Sequence, residues 1–167
     1  MDNNTLLISY KTLTQSSELN ENIDVKLILP LIKEVQEMEL QTVLGALLFE
    51  RLKADVFANT LAGFYKELLN EYCKPVLINA LLAELPFKLN YRFTNTGVVT
   101  RTSENTTPTE FKDLQKLSDQ YKSKKVFYAG KMIDYIKKNQ TQFLEYNSED
   151  NFKDSPKNET YEVGIYL

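Results

Sequence analysis

From residue 24 to residue 146 the apolar residues recur at intervals of three and four rather than two. That is the period of an α-helix returning one face to the core on each turn, and it steers the chain away from sheet architectures. The whole chain has only five Gly and five Pro. The predicted fold class is therefore mostly α: a small helical bundle with one long C-terminal helix, a Thr/Asn-rich loop or short hairpin, and an extended C-terminal tail. At 167 residues and 43% hydrophobic, the chain is large enough for one core that removes roughly 70% of its unfolded surface from water.

Asp24 is the predicted N-cap of a first helix, its carboxylate accepting from N–H groups that lack a partner within the helix. Leu27, Ile28, Leu31, Ile32, Val35 and Met38 follow as one stripe, with Pro30 inside it as a predicted kink. A second helix is expected over 39–57, where Gly45 marks a junction or a close approach, and a third over 60–73. Pro75 suits the first turn of a fourth, which is apolar on nearly every side from Val76 to Leu89 and so should be central. Pro86 should bend or end it. Thr, Asn, Ser and Gly dominate from Phe93 to Thr109, and Asn95-Thr96-Gly97 before Val98-Val99 reads as a turn entering an extended segment. The longest helix is expected from Pro108-Thr109 to Asn139, with a last turn holding Phe143, Leu144 and Tyr146.

Three regions follow: an arm over 1–22, whose Leu6-Leu7-Ile8 strip suits a short strand or an anchor, a helical body over 23–146, and a tail over 147–167. The tail opens as a polar linker to Thr160. Tyr161, Val163 and Ile165 then alternate with Glu162, Gly164 and Tyr166 before Leu167, which is strand periodicity. An apolar strand after a solvated linker needs a partner edge, so Tyr161, Val163, Ile165, Tyr166 and Leu167 are the predicted docking residues.

Charge is unevenly placed. Residues 109–139 hold eight Lys against four acids, whereas residues 24–56 hold six acids against four bases. Opposed patches of this kind suit self-association or a charged partner, although solvated helix faces would look the same. The total of −3 lacks the basic excess of a duplex-binding protein. Lys122, Lys124 and Lys125 cluster mid-helix with no interleaved aromatic expected on their exposed face, which favours a solvated or subunit-facing stripe over a phosphate contact.

The chain has no His and no Trp, and Cys73 is its one cysteine. The commonest general acid/base, most zinc sites and an intramolecular disulfide are thereby removed. No phosphate-binding glycine loop, nucleophile elbow or spaced Cys/His set occurs. No catalytic residue, cofactor or metal ligand is assigned. Glu34 with Glu37, or Glu37 with Glu39, could hold a divalent ion or act as acid and base, but exposed acidic surface accounts for them more simply. Cys73, without a base, reads as a structural thiol. Most of the ten Tyr suit the core and its edges. No apolar run approaches a membrane span, and MDNNTLLISYK has no basic region leading into a hydrophobic one, so synthesis in the cytosol is expected.

The run Ile23-Asp24, Ile28, Pro30, Ile32, Gln36, then Leu44-Gly45 with Leu47 and Leu48, resembles the opening of the small α-helical head–tail connector (adaptor or ring) proteins of tailed bacteriophages. Those of Bacteroidetes-infecting and crAss-like phages are the most similar. Tyr65, Leu68-Leu69, Tyr72, Lys74-Pro75, Leu85-Pro86, the Asn95 to Val99 stretch and Tyr135-Ile136 leading to Phe143 extend the resemblance over about residues 5–146. It implies a non-enzymatic virion protein at the portal vertex. Such subunits form a homo-oligomeric ring, commonly a dodecamer, between the portal protein and the next tail or ring protein. Genomic DNA passes through without specific binding. On this expectation Glu34, Glu37 and Glu39 are candidate channel-lining residues that repel DNA, and Lys122, Lys124 and Lys125 are candidate subunit contacts. Asn95, Gly97, Val98 and Val99 would reach the next ring, and the terminal strand would add to an edge of a neighbour or of the portal. The alternative is a helical DNA-binding regulatory protein that sets its Lys-rich helix on phosphates.

Overall fold

The computed structural model describes residues 5–19, 23–95, 97–100, 109–148 and 150–151. Helix α2 (Val25–Val35) starts where the cap signal places it: the Asp24 carboxylate accepts from the Lys26 N–H at 2.9 Å, and Ile28, Leu31, Ile32 and Val35 are buried. The polar stretch before it conceals a short helix, α1 (Tyr10–Gln15), capped by the Ser9 hydroxyl and held to the core by Leu13. The Leu6-Leu7-Ile8 strip is an anchor. Leu7 and Ile8 are buried, and the amide of Gln36, itself buried, accepts from the Leu7 N–H at 3.0 Å while donating to the Thr5 carbonyl at 2.9 Å. One side chain thus does for the arm what a neighbouring strand would do.

Helix α2 continues past residue 38, through a π-helical turn at Gln36–Gln41, into α3 (Thr42–Leu44). The break expected near residue 39 falls instead at Gly45, where φ is +78° and α4 (Ala46–Phe57) begins. The same device recurs in the next helix. There α5 (Gly63–Glu67), a π turn at Leu68–Cys73 and α6 (Lys74–Asn90) follow one helical path, so the expected end at Cys73-Lys74 is absent. Pro75 has no N–H to return to the carbonyl four residues earlier, and the wider turn just ahead of it takes up the lost bond. Pro86 does not end α6 either: it sits in the last turns, and Leu82 and Leu85 beside it are buried, which holds the helix on to Asn90.

Helix α6 is central, as its all-round apolar pattern requires, and α7 (Phe111–Lys138) lies along it. With 28 residues, α7 is about 42 Å long. Leu77, Leu81, Ala129, Met132 and Ile136 from this pair pack with Ile28, Ile32, Leu40, Leu44 and Leu48 in one cluster. At the π turn, Cys73 Sγ lies 3.5 Å from Met132 Sδ. Aromatic rings close that end: Tyr72 stacks on Tyr135 with centroids 4.2 Å apart, and Tyr65 meets the buried Phe143 edge-on at 5.3 Å. Between α6 and α7, β1 (Tyr91–Thr94) and β2 (Gly97–Thr100) form an antiparallel hairpin that pairs Tyr91 with Thr100 and Thr94 with Gly97. This is the expected turn and extended segment.

Asn151 falls in the polar linker of the sequence reading, and it is fully buried. Its Oδ1 accepts from the N–H groups of Leu47 and Leu48 at 2.8 and 3.2 Å, and its carbonyl accepts from Ala46. Its Nδ2 donates to the Leu44 carbonyl at 2.8 Å. A residue a hundred positions away therefore caps α4 and closes the break before it. Gly45 is required twice over: its φ is positive, and a Cβ there would run into the Asn151 amide.

Candidate interaction surfaces

The two opposed charge patches meet inside the molecule. Glu39, in the first π turn, receives the Lys125 ammonium of α7 at 2.8 Å, and both side chains are largely buried, at 17% and 16% exposed. Glu39 therefore cannot serve with Glu34 and Glu37 as one acidic lining, and Lys125 is not part of an outward lysine cluster. A helical period assumed unbroken through residues 36–41 misses the turn that aims Glu39 at α7. Glu34 stays exposed, 3.9 Å from Lys88, and Glu37 is half-buried. Lys122 lies 3.7 Å from Asp119 on the surface.

Lys124 takes a third direction, over the Tyr121 ring at 4.8 Å, and about two turns on Lys131 stands 5.0 Å over the ring of Phe127. Phe127 is 60% exposed. Lys124, Phe127, Lys131 and Lys138 recur at helical spacing along one side of α7. The expectation of no aromatic among these lysines is thus corrected: the rings interleave with the cations, each partly shielding the other from water.

Two concavities flank α7. The first, of about 400 Å³, lies between the end of α6 and the start of α7, and Leu82, Leu85, Leu89, Leu114, Leu117 and Tyr121 line it. Glu18 lines it as well, and Lys124 stands over its Tyr121 wall. The second, of about 500 Å³, carries both signs of charge, with Glu67 and Asp134 beside Lys131 and Lys138 and with Tyr72 in its wall.

At the far end of the bundle Glu145 accepts from Tyr65 Oη at 2.6 Å and pairs with Arg51 at 3.3 Å, while Arg51 also binds Asp55 at 2.9 Å and lies over the Tyr65 ring. Burial first, and then the Glu145 carboxylate, push the Tyr65 phenol up from 10.0 to about 12. These groups fasten the turn after α7 to α4 and α5. Burial likewise raises the Cys73 thiol well above its usual range, in line with a structural thiol. Among the described residues there is no group of three or more His, Cys, Asp or Glu that could hold a metal ion, and no helix long and apolar enough to cross a membrane.

In the hairpin, Asn95 and Gly97 sit at the exposed turn and Val98 is 60% exposed, with Val99 half-buried beside it. The remainder of the loop, 101–108, and the docking residues Tyr161, Val163, Ile165, Tyr166 and Leu167 lie outside the described residues. Three features escape a reading by periodicity: the buried Gln36, the buried Asn151 and the Glu39–Lys125 pair. Gln36 alone carries a signal, a polar side chain in register with the apolar stripe of Ile28, Ile32 and Val35. The model of a family of unknown function, DUF6712, matches residues 40–156, which takes in the chain from the first π turn to beyond Asn151. Searches of curated proteins and of solved structures find no match.

Proposed function

The chain belongs to the DUF6712 family, and we propose that this member is a structural virion protein, a ring subunit at the portal vertex that joins phage head to tail and extends the DNA channel. What supports the reading, beside the resemblance to head–tail connectors, is the surface of the helical body. Its core is filled, yet Phe57, Phe127, Met38 and Leu144 remain at least 60% exposed. Large side chains in such numbers outside a complete core suit contact with other chains. Separate elements carry them, the first π turn, α4, α7 and the turn after it, and a subunit with two unlike sticky faces would associate head to tail and close by rotation.

In this reading the partners are copies of the chain, the portal protein and the next tail or ring protein. Genomic DNA passes through without sequence-specific contact. The role is one of fit rather than chemistry. Asn95, Gly97, Val98 and Val99, at the exposed tip and edge of the hairpin, are the contact toward the next ring. Glu34 and Glu37 remain candidates for the channel wall, without Glu39. Negative-stain images of the purified protein, alone and mixed with its portal protein, test the proposal: rings seated on the portal are expected, and a dispersed monomer in both samples would refute it.

The interleaved lysines and aromatics of α7 favour a second reading, a helical DNA-binding regulator, because such stripes hold phosphates and stack bases. That reading requires duplex binding by the isolated chain that falls steeply as salt rises.

A further inference from the structure

We propose that the cleft between α5 and the end of α7 binds a planar cation that carries a carboxylate close by. This is the chemistry of arginine, as the free amino acid or as an arginine beside an acid on another chain. The proposal stands whether or not the chain forms a ring. At about 500 Å³ the cleft has the size of a small-ligand site. Phe64 and Glu67 of α5 and Tyr72 of the second π turn line one side, and Lys131, Asp134 and Lys138 from the last turns of α7 line the other.

Charge in this cleft is arranged differently from charge on the rest of α7. Asp113 and Asp119 each hold the lysine three residues on, at 3.1 and 3.7 Å. Asp134 has Lys131 three residues before it and Lys138 four after it, the spacings at which helix neighbours pair. Among the described residues it forms an ion pair with neither, and Glu67 across the cleft forms none. Tyr135 adds an independent sign. Its hydroxyl is buried and completes no hydrogen bond, although burial and then the nearby Glu67 carboxylate push the phenol up. An orphaned buried donor calls for an explanation. A cation that draws Glu67 into place supplies one, since the same carboxylate can then accept from Tyr135 Oη.

The lining selects the cation. Two carboxylates from different elements share it with the rings of Phe64 and of Tyr72, the latter stacked on Tyr135 at 4.2 Å. A guanidinium matches that set: its face lies on an aromatic ring while its edge donates to carboxylates on both sides, which a compact ammonium cannot do at once. The lysines select the second group. Lys131 rests over the Phe127 ring at 5.0 Å, and Lys138 has no ion-pair partner among the described residues. Both would repel a ligand that is only a cation, whereas a carboxylate on the ligand meets Lys138.

Isothermal titration calorimetry on the full chain tests this with L-arginine, with the capped dipeptide acetyl-Arg-Asp-amide, and with agmatine, which keeps the guanidinium and lacks the carboxylate. Saturable heat is expected from L-arginine or the dipeptide, and the tighter of the two identifies the source, a free amino acid or a neighbouring chain. Agmatine should bind about tenfold more weakly than that ligand, and Glu67→Gln or Asp134→Asn should cost the ligand a similar factor, the scale of one charged hydrogen bond. Lys138→Gln should weaken the ligand while improving agmatine, a crossed pattern that a general loss of structure does not produce. Glu67, Asp134 and Lys138 are exposed, so the fold should survive, and circular dichroism checks that it does. No saturable heat from either L-arginine or the dipeptide would overturn the assignment. So would binding indifferent to both Glu67→Gln and Asp134→Asn, or agmatine that binds as tightly as the better of the other two.

Discussion

Gly45 and Asn151 meet where one helix ends and the next begins, and neither has a ready substitute. Asn151→Ala strips the N–H groups of Leu47 and Leu48 of their shared acceptor and the Leu44 carbonyl of its donor. The expected loss is about 2–3 kcal/mol by denaturant titration. Asn151→Asp keeps the acceptor and loses only the donor, so it should fall between the two. Gly45→Ala should be at least as damaging as Asn151→Ala, because it forces a positive φ on a residue with a Cβ and drives that Cβ into the Asn151 amide. Equal stability of Gly45→Ala and wild type would contradict the packing described. Tyr65 makes an alkaline prediction. Its phenol is held neutral in the fold, from 10.0 up to about 12, so the stability it contributes is whole below pH 10 and is lost as pH rises toward and past 12. Thermal melts across that window should show a decline that is shallower in Tyr65→Phe, which has no phenol to ionise.

Each π turn does work that a plain α-helix at that place would not: the first aims Glu39 at α7, and the second precedes Pro75 and sets Cys73 against Met132. Removing one member of the Glu39–Lys125 pair leaves its partner's charge in a largely buried seam. A double-mutant cycle with Glu39→Gln and Lys125→Met should therefore return a coupling of about 1–2 kcal/mol, whereas a value near zero would reduce the pair to decoration. Helix positions and the central place of α6 were legible in the sequence because burial imposes its period on the residues. The hairpin was legible because Asn95 and Gly97 mark its turn. Helix junctions were not, since a π turn adds a residue without any change of composition, and Pro75 looks the same whether it begins a helix or sits inside one. Asn151 was illegible for a different reason: its role depends on the backbone of Leu44 to Leu48, a hundred residues away, and polar residues in a polar stretch carry no trace of such a partner. The charge totals of two segments likewise could not tell that Glu39 and Lys125 answer each other within one chain.

At the scale of the molecule, a filled helical core leaves large apolar groups, an apolar groove and a stripe of lysines and rings on its surface. With Glu39 and Lys125 joined internally, the proposed ring would assemble through apolar contact rather than a wholesale meeting of acidic and basic patches. Salt should accordingly shift assembly only mildly, whereas a regulator clamped on phosphates would lose its duplex over the same range. Sedimentation at 50 and 500 mM salt separates the two. Native mass spectrometry of the full chain incubated with its portal protein goes to the centre of the account. A single complex of fixed stoichiometry, one closed ring of identical chains on each portal, is the predicted result; portal and monomer that remain separate species at every ratio would contradict it.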